Sequence, residues 1–125
     1  MQKALETYRE AQVKTSDNLD LVVLLYEEGA RYLKEAAQAY REKDFERKAQ
    51  RLIYGMEVIS ELLVSLDLEK GGEIAKRLQA LYSFMLRELL LADAREDPEA
   101  IERVAEMLED LKGSWAELKR KAQVG

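Results

Sequence analysis

The sequence predicts an all-α protein, an antiparallel up-and-down four-helix bundle, on three observations. Apolar residues recur at three- and four-residue steps through four long segments. Breaks in that pattern fall at Lys43-Asp44, Gly71-Gly72 and Asp97-Pro98, so the connections are short. The 125 residues are 47% hydrophobic and 36% charged with one proline, a composition that suits long helices with charged outer faces. Long helices with short connections pack as antiparallel neighbours. The whole chain, 1–125, reads as one helical-bundle domain.

Residues 1–16 are read as a short mobile N-terminal arm, because Leu5, Tyr8 and Val13 form no sustained stripe. Thr15-Ser16-Asp17-Asn18 then offers side-chain oxygens that can cap a helix. The first helix is expected at about 18–41, with a stripe of Leu19, Val22, Tyr26, Gly29, Leu33, Ala37 and Tyr40. The second, at about 43–66 with Asp44 as a cap, is expected to bury Phe45, Ala49, Leu52, Met56, Ile59, Leu62, Leu63 and Leu66. Gly71-Gly72 breaks the pattern, since glycine is costly inside a helix and favoured at its ends. The third helix, at about 73–94, presents Ile74, Leu78, Leu81, Met85, Leu89 and Ala92. Asp97 caps the fourth, at about 98–121, and Pro98 fits its first position, where no amide donor is missed. Its single stripe is Ile101, Val104, Leu108, Leu111, Trp115, Leu118 and Ala122.

The first three helices hold more apolar residues than a bundle can bury. A helix packed on one face needs about three or four apolar residues per two turns. From Leu78 to Leu91 the apolar side chains fan round most of the helix, with Phe84 and Leu91 on one flank and Leu86 and Leu90 on the other. A helix apolar nearly all round needs cover, and the cover expected here is another protein.

Several function classes fall away on composition. The chain has no histidine and no cysteine, which removes imidazole and thiol chemistry, disulfides and the Glu-x-x-His step of bundle metal sites. Glu57 and Glu61, and Glu102, Glu106 and Glu109, lie off the core stripes and read as solvated faces. No catalytic residues, metal ligands or cofactor are expected, and the protein is read as not an enzyme. The net charge of −5 argues against nucleic acid as a partner. Lys112, Lys119, Arg120 and Lys121 suit the negative end of a helix dipole. No apolar run approaches the roughly 20 residues of a membrane span, and no signal-peptide core is visible. A cytoplasmic location without membrane insertion is the expectation.

Over nearly its whole length the chain resembles the FliS family of flagellar export chaperones. Tyr8, Val13, Thr15, Leu21, Leu25 and Tyr26 match the family's signature in the arm and first helix. Ile59-Ser60-Glu61-Leu62 and Ser65-Leu66 are similar to its second-helix elements. The most specific match is Leu78-x-x-Leu81-Tyr82-x-Phe84-Met85-x-Arg87-x-Leu89-x-x-Ala92, and Leu111-x-x-x-Trp115 completes the order. The chain departs from the family at Asp17-Asn18, where a proline is usual, at Arg87-Glu88, where Arg-Arg is common, and at Glu27-Glu28-Gly29.

The resemblance implies a cytoplasmic chaperone that binds the disordered C-terminal segment of flagellin. It would prevent premature polymerisation and aid delivery to the flagellar type III export gate, itself a further partner. Such a client would lay amphipathic helices into apolar grooves. Residues off the central stripes are expected to line them: Leu21, Tyr32, Tyr54, Val58, Phe84, Leu86, Leu90 and Leu91. Tyr8 and Val13 would belong to a movable lid, and the free chain would be a monomer or weak homodimer. The rival reading is a self-associating structural bundle whose extra stripes form a homodimer interface.

Overall fold

The computed structural model describes residues 18–124, with side chains from 20 to 117 and at 120 and 121. Four helices fill this range: α1 (Asn18–Arg41), α2 (Phe45–Val64), α3 (Leu68–Ala94) and α4 (Pro98–Val124). Residues 1–17, which include the expected arm, lie outside the described range.

Two of the three connections have the same construction. After α1, Lys43 takes a left-handed conformation (φ 60°) and the Asp44 amide donates back to the Ala39 carbonyl at 2.9 Å. After α3, Glu96 (φ 55°) and the Asp97 amide do the same with Ala92 at 2.9 Å. Each turn satisfies the free carbonyls of the helix it ends. Its aspartate then starts the next helix, accepting at Oδ1 from the Arg47 amide (3.2 Å) or the Ala100 amide (3.1 Å).

The α2–α3 junction is different. Asp67 Oδ1 accepts from the amides of Glu69 and Lys70, so helix begins at Leu68, five residues before the sequence suggests. Gly72 interrupts it (φ 55°, ψ −134°), a conformation that glycine adopts without penalty. The Gly71-Gly72 break is therefore real but falls inside α3, after one capped turn.

The helices pack as a square in chain order, each antiparallel to the next. Between α1 and α4 the ion pairs Glu27–Lys112, Lys34–Glu109 and Arg41–Glu102 run in opposite directions along the two helices. α1 packs closely on both α2 and α4, while α3 sits more loosely against its two neighbours. Small residues cause the difference. Gly55 lies so close to Leu33 that a Cβ there would come within 2.5 Å of its Cδ2. At Gly29 a Cβ would stand 3.2 Å from both Val58 on α2 and Leu108 on α4. With Ala30, Ala36, Ala37 and Ala39 also buried, α1 draws its neighbours in.

The core holds Tyr26, Leu33, Ile59, Leu62, Tyr82, Met85, Leu89, Ile101 and Leu108, each at most 2% exposed. Three expectations need correction. Phe45 is 54% exposed, because it opens α2 at a bundle end and meets only the edge of the Tyr40 ring, with centroids 6.1 Å apart. Ala49 is exposed as well. Ile74 is 68% exposed, and Ala75 and Tyr82 are buried in its stead, so the inner stripe of α3 is Ala75, Tyr82, Met85, Leu89 and Ala92. Tyr82 turns that stripe inward by pairing with Tyr26 of α1.

Two measurements check this packing. Gly55→Ala should lower the unfolding free energy by about 1–2 kcal/mol in urea melts, since overpacking a wholly buried Leu33 outweighs the better helix propensity. Gly113→Ala, on α4 with nothing within 4 Å, should raise it by about 0.5–1 kcal/mol.

The Arg41–Glu102 fork gives a pH test. Its two hydrogen bonds (2.6 and 2.8 Å) hold the Glu102 carboxyl below the ordinary glutamate value of 4.5. A depressed folded value contributes stability above the unfolded value, lost as pH falls through the folded one. The pair is more than a third exposed, so Glu102→Gln should cost under about 1 kcal/mol at pH 7. That difference between the two proteins should shrink as unfolding is measured below pH 4.5.

Candidate functional site

Large apolar residues are exposed on α1 (Leu24) and α2 (Phe45, Ile53, Val64) too, but α3 carries the most of them among the described residues, and two apolar concavities lie along it. Its loose seating leaves space on both flanks and at its first turns. Phe84 is 37% exposed, Leu90 61% and Leu91 39%. Leu86 is half-buried and packs against the core.

Between α3 and α4 runs a groove of about 230 Å³, lined by Phe84 and Glu88 on one side and Ala100, Arg103, Val104 and Met107 on the other. The Arg87 guanidinium lies 5.9 Å from the centre of the Phe84 ring, a cation at the rim of an apolar slot. Arg103 reaches Asp97 only at 3.9 Å and is largely exposed. This groove can take an apolar side chain and offers charge of both signs at its edge.

A second feature, a cleft of about 320 Å³, opens where the first turns of α1 and α3 meet the last turns of α2 and the far part of α4. Val22, Leu62, Leu66, Ile74, Leu78 and Trp115 make its walls largely apolar, and Tyr82 is among its lining residues. The turn Leu68–Gly71, set off by Gly72, forms one lip. Beneath the cleft, in the core, the hydroxyls of Tyr26 and Tyr82 lie 2.5 Å apart. Burial pushes both phenols above their ordinary value, so both stay protonated.

A third concavity, between α1 and α4, is of another kind. Lys34, Gln38, Arg41, Glu102, Glu106 and Glu109 line it, and two of its cations are already paired with its acids. It reads as a structural ion-pair face. Among the described residues, no three acidic, histidine or cysteine side chains are grouped to hold a metal ion. No described helix is long and apolar enough to cross a membrane.

The structure divides the residues that sequence analysis singled out. Phe84 lines the α3–α4 groove, Leu91 is exposed two helical turns further on, and Leu86 and Leu90 lie along the other flank of the helix. Leu21 is half-buried near the start of α1. Tyr32 and Tyr54 are elsewhere, between α1 and α2. Their rings meet edge to face at 5.3 Å, with Arg31 over Tyr32 (4.7 Å) and Arg51 over Tyr54 (5.8 Å). Arg51 Nε is 3.2 Å from Glu35 Oε1 without the alignment of a hydrogen bond. Tyr32 is only 8% exposed, so this cluster is mostly packing. Val58 must be corrected: it is wholly buried beneath Gly29, because the missing side chain there lets α2 approach and encloses it. Tyr8 and Val13 fall outside the described residues.

Sequence reasoning missed the cleft, because Leu62, Leu66, Leu78 and Trp115 all lie on central stripes and read as core. The one available signal was Gly71-Gly72, which loosens the start of α3. Met107 was missed too, since it sits beside the regular stripe of α4 and has a side chain long enough to reach the groove.

Comparison with known proteins fits this geometry. A family model described as "Flagellar protein FliS" matches residues 1–122. The flagellar secretion chaperone FliS of Salmonella typhimurium is 33% identical over 114 residues, covering 90% of this chain and 84% of its own. The FliS chaperones of Vibrio cholerae (26%, covering 94% and 90%) and Bacillus subtilis (28%, covering 92% and 85%) are similar over comparable spans. These relatives are named as chaperones and not as enzymes. A match over nearly the whole length, on a four-helix bundle with open apolar grooves, shows that this chain belongs to the FliS family of flagellar secretion chaperones.

Proposed function

We propose that this chaperone binds the disordered C-terminal segment of flagellin in the cytoplasm, prevents its premature polymerisation and aids its delivery to the flagellar type III export apparatus. The observation that carries the reading is the apolar surface of α3, left open on both flanks. Phe84 and Leu91 are seven residues apart, so they stand on one side of the helix about 10 Å from each other, two turns along. An amphipathic client helix presents anchors at the same spacing, and its apolar face would fill the slot beside Phe84. Leu86 and Leu90 would serve a second stretch of the same client on the opposite flank.

Wrapping a chain around two flanks of one helix suits a partner with no fold of its own. Coupled folding and binding of this kind buries about 1,000–3,000 Å² and offsets an ordering cost of several kcal/mol. The face a filament subunit needs for assembly would be the one hidden. Tyr8 and Val13, in the segment that leads into α1, would act as a lid over part of the surface and give way to the client. The export gate would meet the loaded complex.

The test is direct. Phe84→Asp combined with Leu91→Asp should weaken binding of a flagellin C-terminal segment at least about tenfold by calorimetry, since one lost apolar anchor is worth that much. Helicity by circular dichroism should stay unchanged, because both residues are more than a third exposed. Unchanged affinity overturns the assignment of these residues. Light scattering on the free chain and the mixture should show the client added to the chaperone, whereas a tight dimer indifferent to the client would favour a homodimer interface.

A further inference from the structure

Residues 67–74, which join α2 to the body of α3, are all exposed. Leu66 before them packs against the core, and Ala75 after them is the first buried residue of α3. The segment between is a strap fixed at both ends. Its own bonds are internal. Asp67 Oδ1 accepts from the Glu69 and Lys70 amides at 3.1 and 3.0 Å, and the Asp67 carbonyl accepts from the Gly71 amide at 2.8 Å. Its ion pair, Glu73 with Lys76 at 3.9 Å, stays within α3. A turn that supplies its own cap can shift as a unit while keeping its main-chain hydrogen bonds.

The two glycines of the strap have different tasks. A Cβ at Gly71 would come within 2.5 Å of the Ala75 Cβ, so the missing side chain lets the turn pass over that residue. A Cβ at Gly72 would meet nothing within 4 Å, and Gly72 holds φ 55° and ψ −134°. That conformation mirrors the first corner of a type II turn and is costly for any L side chain. Gly72 is therefore a bend that stands in open space, where rotation meets no neighbour.

The strap carries apolar bulk beside an apolar void. Leu68 is 42% exposed and Ile74 68%. Next to them lies the cleft of about 320 Å³, walled by Val22, Leu66, Leu78 and Trp115, with Gly71 and Ile74 at its edge. Water in a largely apolar cleft lacks hydrogen-bond partners, and exposed leucine and isoleucine lose free energy by facing water. One movement removes both costs.

We propose that residues 67–74 are a strap, hinged at Gly72, that closes over this cleft and turns Leu68 and Ile74 inward against Leu78 and Trp115. The chain then has two states: the open arrangement of the structure and a closed one in which it covers its own apolar wall. Any occupant of the cleft competes with the chain's own side chains. The device belongs to the free chain and is independent of which client it carries.

Trp115 is the only tryptophan and lines the cleft, so its fluorescence reports closure. In the full chain, Leu68→Asn combined with Ile74→Asn should raise the acrylamide quenching of Trp115 at least about twofold, as when a state holding half or more of the molecules is emptied. Gly72→Ala, which forbids the bend, should give a similar rise. Leu90→Asn, equally exposed but away from the cleft, should leave quenching unchanged. Unchanged quenching in the strap variants, or a fall, overturns the proposal. A second measurement uses the unaltered chain and needs no variant to fold. Closure brings the Leu68 methyl groups against the Trp115 ring, so NMR should show nuclear Overhauser contacts between them. Leu68 does not line the cleft in the open arrangement, and absence of those contacts overturns the strap.

Discussion

The close approach of α1 to two neighbours at once is the constraint on which the rest of the bundle depends. Gly29 touches α2 and α4 from a single position, and Gly55 lets Leu33 press into α2. A helix lined with alanine and glycine gains little from its own side-chain bulk. It gains by letting larger residues of its neighbours, Val58 and Leu108, close over Gly29. A square of four helices cannot be equally tight on every side when one corner is drawn in so far. The slack falls on α3, the corner diagonal to α1. Its bulky residues, Phe84, Leu86, Leu90 and Leu91, are too many for the space its neighbours leave. The exposed apolar surface is thus a geometric result of packing elsewhere in the bundle.

Electrostatics reinforce the same asymmetry. The α1–α4 seam carries Glu27–Lys112, Lys34–Glu109 and Arg41–Glu102 along its outer edge. Each exposed pair contributes little alone, about 0–1 kcal/mol. Together they match one register of the two antiparallel helices and mismatch a shift by one turn. Across the α2–α3 seam Lys48 reaches Asp93, which also accepts from Tyr40 of α1. Near the α3–α4 groove, Arg87 and Arg103 are left mainly to solvent and to the Phe84 ring. Charges hold the closed side of the molecule in register, and they rim the open side.

Much of this was legible in the sequence, and what was not has physical causes. The helix count, the aspartate caps at Asp44 and Asp97 and the surplus on α3 follow from periodicity and turn chemistry. Those are local rules, and they held because each connection is a local structure. The errors arose where tertiary contact overrides the period. Val58 sits off the stripe of α2 by wheel geometry, yet a glycine on another helix encloses it. Ile74 sits on the stripe of α3, yet Gly72 turns the start of the helix away and Tyr82 takes the inward place. Phe45 has the hydrophobicity of a core residue and the position of a rim residue. A helical wheel records angle about one axis and knows nothing of where that axis ends or how near its neighbour lies. The flanks of α3 were foreseeable because excess needs only counting. The cleft was not, because every residue in its walls has a proper place in a core stripe.

The proposed function requires the open surface to be kept from its own kind, and the distribution of exposed residues suits that requirement. Phe84 and Leu91 are exposed on one flank of α3 and Leu90 on the other, each within a turn of Arg87, Glu88 or Asp93. A flat rigid partner can cover only one flank of a helix at a time, and would strand the charges between them. A segment with no fixed fold can bend around the helix and place apolar residues on both flanks while its polar residues pass over the charges. The same interruption of apolar surface by charge that works against pairing between copies is therefore compatible with the flexible client of the proposed function. The proposed selectivity for an unfolded partner rests on where the surplus side chains sit on α3.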